Sequence, residues 1–353
     1  MKKSLLALAA LTAFAGVASA QSSVTLFGVV DLNARSTKTG STSVKSLSQD
    51  GNASSRLGFR GVEDLGGGMR AGFWLEAGVN PDIGGTNTTN AVNVNAAANA
   101  STPVVSQFFN RRSTVSLMGG FGEIRLGRDY TPSFWNYTVF DVFGTNGVAS
   151  MSNLASAVAG SGAQTFVRAN NTIGYFLPAM GGLYGQVQAA AGEGVRGNKY
   201  VGGRVGYAAG PVNVAVAFGK TYNTDGPALS ATGVFTTAAV SGMADDHTDM
   251  NVGASFNAGF MTIVGQYSKR EYLTADQKTM NVGIAVPLGA GTIKASYTKT
   301  SATPAAGDGK QIGLGYVHDL SKRSALYTHF AKINKPGTAA DVTAYEFGVR
   351  HSF

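Results

Sequence analysis

The sequence predicts an all-β fold, a transmembrane antiparallel β-barrel of about sixteen strands, and three observations carry that prediction. Tyr345, Phe347, Val349, His351 and Phe353 occupy alternate positions up to the last residue, with Glu346, Gly348, Arg350 and Ser352 between them. Side chains of a strand alternate between its faces, so one face is mostly apolar and the other polar, as in a wall with lipid outside and water inside. The composition agrees: 48 glycines, 44% apolar residues and only 14% charged residues favour short turns and many strands over helices. Finally, short glycine-rich turns alternate with long polar connections, the two-rimmed asymmetry of an outer-membrane barrel.

The first strand has Val24, Leu26, Gly28, Val30 and Leu32 on one face and Thr25, Phe27, Val29, Asp31, Asn33 and Arg35 on the other. Leu57 and Phe59 then alternate with Arg56 and Arg60, and a turn through Gly66, Gly67 and Gly68 leads to Ala71, Phe73 and Leu75 against Arg70, Trp74 and Glu76. This is a hairpin with a short glycine-rich turn. Val115 and Leu117 turn into Ile124 and Leu126; Ile173, Tyr175 and Leu177 turn into Leu183 and Val187. Val212, Val214, Val216 and Phe218 follow Gly210 and Pro211. Met280, Val282, Ile284 and Val286 return as Ile293, Ala295 and Tyr297; Ile312, Leu314 and Tyr316 precede residues 324–333. Weaker segments near Lys199, His247 and Met261 complete the count, and an even number returns both termini to one side. The long connections are expected at 80–106, 130–165 and 223–246. Tyr175, Tyr267, Tyr297, Tyr316 and Tyr327 read as interfacial girdle residues.

The N-terminus indicates export. Met1, Lys2 and Lys3 precede an apolar stretch over 5–17 that is too short to span a bilayer, and Ala18, Ser19 and Ala20 form a small-residue cleavage site. Residues 1–20 are therefore expected to be a signal peptide, and 21–353 a single barrel domain. No cysteine is present, so an exported chain must be held together by something other than disulfides, and a closed sheet suffices.

The net charge is +8, and loss of Lys2 and Lys3 brings it to +6. Such an excess suits small anions or acidic lipopolysaccharide; with no basic run or stacking motif in an exported chain, nucleic acid is excluded. Gly219, Lys220 and Thr221 resemble the end of a phosphate loop, but the glycine required upstream is Val214. His247, His318, His329 and His351 have no metal-ligand spacing, and no nucleophile elbow is present. No cofactor or metal is expected, and no enzyme. A barrel enzyme without a local motif, a surface adhesin and a substrate-specific channel remain as alternatives.

Ser55-Arg56-Leu57-Gly58-Phe59-Arg60-Gly61, Glu63-Asp64-Leu65-Gly66, Leu126-Gly127-Arg128-Asp129-Tyr130-Thr131-Pro132, Arg168-Ala169-Asn170-Asn171-Thr172-Ile173-Gly174-Tyr175 and the ending Val349-Arg350-His351-Ser352-Phe353 occur in that order. Together they resemble the general diffusion porins of Gram-negative bacteria, in particular the β-proteobacterial, anion-selective branch, over essentially the whole exported chain. The resemblance implies a homotrimer in the outer membrane whose third outer loop, here 130–165, folds into each barrel and narrows it. It implies passive diffusion of small hydrophilic solutes past an arginine ladder facing acidic loop residues. Arg56, Arg128 and Arg168 match the ladder, and the terminal Phe353 matches a signal read by the barrel-insertion machinery.

Strand parity independently puts Arg56 and Arg168 on the polar face. Continuing the Val115 and Leu117 face backwards sends Arg112 into the lumen and Arg111 outward, although a bulge or emergence from the membrane would reverse this; Arg112 is favoured. The loop offers one carboxylate after Asp129, namely Asp141, amid Phe134, Trp135, Tyr137, Phe140 and Phe143. The constriction should therefore be net positive and prefer anions, with Glu76 and Asp141 tempering it or fixing arginine rotamers. The loop aromatics are expected to pin the loop to the wall.

Overall fold

The computed structural model describes residues 23–86, 89–90, 106–159, 165–194, 199–229, 235–272, 275–303, 307–335 and 340–353. The expected signal peptide at 1–20 and most of the 80–106 connection lie outside the described residues. Alternating apolar and polar positions fold into one sheet that closes on itself. Strand β1 (Ser23–Thr39) pairs with β16 (Val342–Ser352) on one side and with β2 on the other. β2 is broken into Thr42–Gln49 and Arg56–Gly66, both antiparallel to β1, with residues 50–55 turned out of the ladder.

The wall continues through β3 (Met69–Asn80), β4 (Arg112–Gly119), β5 (Gly122–Tyr130), β6 (Arg168–Phe176), β7 (Leu183–Ala190), β8 (Tyr200–Ala209) and β9 (Val212–Leu229). It is completed by β10 (Phe235–Asn257), β11 (Thr262–Tyr272), β12 (Ala275–Leu288), β13 (Gly291–Thr303), β14 (Gly307–Asp319) and β15 (Ser324–Asn334). Every neighbour pair is antiparallel, giving a closed barrel of sixteen strands. Closure leaves no sheet edge in the membrane, the condition for a β-structure to span lipid.

The faces divide as the alternation requires. In β16, Tyr345, Phe347 and Val349 are 48–58% exposed on the outside, whereas Glu346 is 2% exposed on the inside. β1 behaves alike, with Asp31 and Asn33 buried between outward Val30 and Leu32. The terminal residue completes the seam. Phe353 N–H donates to Gly28 O and Gly28 N–H to Phe353 O, each at 3.1 Å. The Phe353 ring occupies the space a side chain at residue 28 would need, so glycine there is a steric requirement of closure.

The segment after β5 crosses the inside of the barrel. Thr131 caps helix α1 (Pro132–Val139), its Oγ1 accepting from Phe134 N–H at 3.4 Å, with Pro132 in the first turn where no N–H is needed. A second helix, α2 (Ser152–Ala159), follows an irregular stretch. Phe134, Tyr137, Phe140, Phe143, Met151 and Leu154 are all buried, so the aromatics do pin the segment in place. It lies on lumen-facing groups of β9 to β16. Asn281 Nδ2 donates to Phe140 O at 3.4 Å, Gln311 Nε2 to Ala149 O at 2.9 Å and Ser150 O at 2.8 Å, and Arg270 Nη1 and Gln277 Nε2 each to Ala155 O at 3.0 Å.

Glycines let it lie that close. A Cβ at Gly253 would clash with the edge of the Phe140 ring, one at Gly283 would touch Val142 at 3.0 Å, and one at Gly313 would meet Ala149 O at 2.9 Å.

Two expectations change, and one strand half was not foreseen. Residues 223–246 are not a simple loop: the β9–β10 ladder runs on through Thr224–Asp245 and Leu229–Phe235 with register shifts. Tyr327 is not a girdle residue. It is 1% exposed and its hydroxyl donates to Asp31 Oδ1, because its strand places Ala325, Tyr327 and His329 inward and Phe330 outward. The first half of β2, Thr42–Gln49, has no apolar alternation strong enough to be read in advance.

Candidate functional site

One sector of the wall gathers the arginines. β3 turns Trp74 and Glu76 inward, and Trp74 Nε1 donates to Glu76 Oε2 at 3.1 Å. Two guanidiniums converge on the other carboxylate oxygen: Arg56 Nη1 at 3.7 Å and Arg111 Nε at 2.6 Å. Arg111 Nη2 also donates to the Tyr130 hydroxyl at 3.2 Å, and Arg168 stacks on the Tyr130 ring at 4.3 Å. Tyr130 stacks in turn on Phe134 of α1 at 5.2 Å, so the arginine cluster and the crossing segment share one aromatic.

Arg128 is held more tightly. Its Nε donates to Asn110 O at 2.6 Å and its Nη1 to Asn170 Oδ1 at 2.8 Å. It lies beside a bulge where Asn170 and Asn171 together oppose it, Gly127 and Asn171 both adopting positive φ. Further along the wall Arg112 donates to Thr114 Oγ1 at 3.0 Å, approaches Asp129 Oδ2 at 3.8 Å and covers one face of Trp74 at 4.6 Å. Arg60 stacks on the same indole at 5.1 Å. Arg125 is gripped by Glu123 at 2.8 and 2.9 Å and by Asp129 at 2.5 Å.

Asp141 is not in this company. It accepts from Phe143, Thr145 and Met151 N–H at 3.0, 3.2 and 3.1 Å and from Ser150 Oγ at 3.0 Å. Burial pushes its carboxyl up from the ordinary range, and these four donors oppose the rise. It is a staple within the segment that bears it, with no ion pair among the described residues.

Across residues 7–338 the chain matches the model of the Gram-negative porins. The chain belongs to that family. It is 35% identical to outer membrane porin protein 32 of Delftia acidovorans, the alignment covering all of both chains. Among solved structures it is similar to an anion-selective porin from Comamonas acidovorans, 33% identical, with a TM-score of 0.77 over 94% of this chain and all of that one. A loop-deletion mutant of OmpT from Vibrio cholerae shares the fold, with a TM-score of 0.68 at 15% identity. The protein is thus an outer-membrane porin of a Gram-negative bacterium, a channel and not an enzyme.

Within this porin Arg56, Arg168 and Glu76 come together as parity and motif position suggest. Arg112 faces inward with Thr114, but Arg111, which parity sends outward, also reaches Glu76. It precedes β4, where alternation no longer applies, and its backbone N–H donates to Glu76 O at 3.1 Å. Arg125 and Arg270 were missed. Outward Ile124 and Leu126 put Arg125 inside, and outward Tyr267 puts Arg270 inside, so the signal was available. Arg270 is 1% exposed and packs on Phe166 at 3.6 Å.

Proposed function

We propose that this porin passes small anionic and neutral hydrophilic solutes and prefers anions, through a constriction between the segment 130–165 and the wall carrying Arg56, Arg112, Arg128 and Arg168. One observation carries the reading: Glu76 is the carboxylate in ion-pair contact with Arg56 and Arg111, with Asp50 acting on Arg111 from further off, while the acidic residue of the crossing segment, Asp141, is turned into its own loop. Counting Arg60 and Arg125 as well, seven guanidiniums face four carboxylates, Glu76, Glu123, Asp129 and Asp50. The anion-selective relative from Comamonas acidovorans, at 33% identity over nearly the whole chain, supports it.

The magnitudes suffice. A tenfold ion bias needs about 1.4 kcal/mol. One charge at 4 Å contributes about 1 kcal/mol in bulk water and about 4 kcal/mol at an effective dielectric near 20. Guanidiniums stay protonated throughout the physiological range, so the preference is flat with pH.

The assembly is a homotrimer exported with cleavage after Ala20, and Phe353 acts as the insertion signal as well as closing the seam on Gly28. The test is planar-bilayer recording of the wild-type protein under a salt gradient. The expected result is insertion in triple conductance steps with a reversal potential of anion sign; a cation sign contradicts the reading. Deleting Phe353 should leave unassembled chain in the periplasm, and undiminished heat-resistant oligomer in the outer membrane would contradict its role.

A further inference from the structure

Between the arginine cluster around Glu76 and the rim where both termini lie, the lumen wall has a gap. The ladder sets Arg60 opposite Trp74 and Trp74 opposite Thr114. In the next row toward that rim Val62 faces Gly72, Gly72 faces Ser116 and Ser116 faces Arg125; one row further on Met118 faces Glu123. Alternation with outward Phe59, Phe73, Val115 and Leu117 puts these residues on the lumen side. Gly72 leaves the middle of the grid without a side chain: a Cβ there would meet Met118 Cε at 2.9 Å and Val62 Cγ2 at 3.6 Å. The result is a cavity of about 380 Å³ that Arg60, Trp74, Arg112 and Arg125 also line. Small-molecule sites begin at about 300 Å³. Gly72 is four residues from Glu76 on β3, ~13 Å along the strand, so the cavity is separate from the constriction.

Its floor is apolar in a lumen that is otherwise polar. Val62 is 46% exposed although it faces water, and Met118 is partly exposed beside it. Apolar surface of this kind gains from being covered by an apolar body.

Its edge is charged. Arg60 lies over the rings of Phe27 and Trp74 at 5.3 and 5.1 Å and has no ion pair among the described residues. Stacking fixes the plane of the guanidinium and leaves its N–H edge for a carboxylate. Arg112 lies over the same indole at 4.6 Å. The acid of the cavity, Glu123, is fully engaged: Oε1 accepts from Ser116 Oγ at 2.6 Å and Arg125 Nε at 2.8 Å, and Oε2 from Arg125 Nη2 at 2.9 Å. Asp129 bonds Arg125 and stands 3.8 Å from Arg112. Arg60, Arg112 and Arg125 thus meet two carboxylates, and Arg60 is the one left over.

We propose that this cavity binds an aromatic carboxylate, its ring on Val62, Gly72 and Met118 and its carboxylate on Arg60 with Arg112 beside it. An inorganic anion gains nothing from the floor, and an uncharged ring gains nothing from Arg60. The inference rests on the anion-passing channel and adds a substrate class to it.

The site carries its own reporter. Trp74 and Trp135 are the two tryptophans of the chain, so Trp135→Phe leaves Trp74 as the sole one. The emission of Trp74 in the assembled, detergent-solubilised full-length Trp135→Phe protein is titrated with benzoate, with acetate as a carboxylate lacking the ring and benzyl alcohol as a ring lacking the charge. Benzoate should change the emission saturably, with half-saturation at least tenfold below that of either control. Adding Arg60→Gln should raise the half-saturation for benzoate at least fivefold, and adding Gly72→Leu, which fills the floor, should do the same. Equal half-saturation for benzoate and either control overturns the proposal, and so does benzoate binding left unchanged in assembled Arg60→Gln and Gly72→Leu proteins. If Gly72→Leu does not assemble, Met118→Gln, similar in size but polar, should weaken benzoate severalfold, and unchanged binding overturns the proposal equally. The titration involves no current, so a reversal potential of cation sign would count against the ion preference and not against the site.

Discussion

The two halves of the lumen wall are built from opposite materials. From β2 to β6 the inner face bears arginines, each held by a carboxylate, an aromatic ring or a carbonyl. From β9 to β16 it bears chiefly glycines and amides, with Asp249, Arg270, Lys294 and Glu346 among them, and the crossing segment lies on these groups. The segment thus leans on the wall that carries fewer charged groups. In the proposed channel, size and charge selection are separate: glycines at 253, 283 and 313 set how far the segment protrudes, and the guanidiniums set the field. Placing the acid of the segment, Asp141, in an internal staple completes the separation.

The largest effect should come from breaking the docking wall. Gly253→Val puts atoms where the Phe140 ring lies, and overpacking of this kind costs about 1–3 kcal/mol. The segment should be pushed further into the lumen, single-channel conductance should fall severalfold, and the arginine wall should keep the anion sign. Conductance equal to wild type in an assembled Gly253→Val protein would show that the contact does not set the aperture.

A smaller change sharpens the other wall. Glu76→Gln removes the carboxylate shared by Arg56 and Arg111, worth about 1 kcal/mol of local potential, so anion preference should increase by roughly two- to tenfold. Reversal potentials under a salt gradient measure it. A fall in preference would mean that Glu76 matters chiefly for holding the arginines in place.

Asp141→Ala leaves the buried N–H groups of Phe143, Thr145 and Met151 unsatisfied, at about 1–3 kcal/mol each where water cannot reach them. The expected consequence is a noisier open channel and earlier thermal dissociation, with the reversal potential unchanged. A changed ion preference would return Asp141 to the constriction. The smallest effect belongs to Lys278, Lys310 and Lys332, exposed on the outer face: salt screens charges beyond roughly 10 Å at 0.1 M, so their replacement by glutamine should leave the reversal potential where it was.

Strand alternation made the barrel legible, because lipid outside and water inside impose opposite chemistry on neighbouring residues of β1 and β16. The same parity located Arg56 and Glu76. It failed where strands end. Arg111 lies one residue before β4 and turns inward, and Arg128 sits beside a bulge that resets the alternation. Tyr327 was misread because tyrosine is at home both in an interfacial girdle and in a buried network, and only the face of its strand decides between them. The staple around Asp141 depends on the path of an irregular chain through Ser150 and Met151, which no periodicity encodes. The docking glycines are likewise invisible in a sequence with 48 of them.

The most direct test of the two-wall account is the reversal potential of the trimeric Arg56→Gln and Arg168→Gln double variant in a planar bilayer under a salt gradient. The account predicts that the anion preference is abolished or inverted while conductance steps and assembly persist, because the glycine wall still seats the segment. A reversal potential equal to that of wild type in a correctly assembled double variant would contradict it.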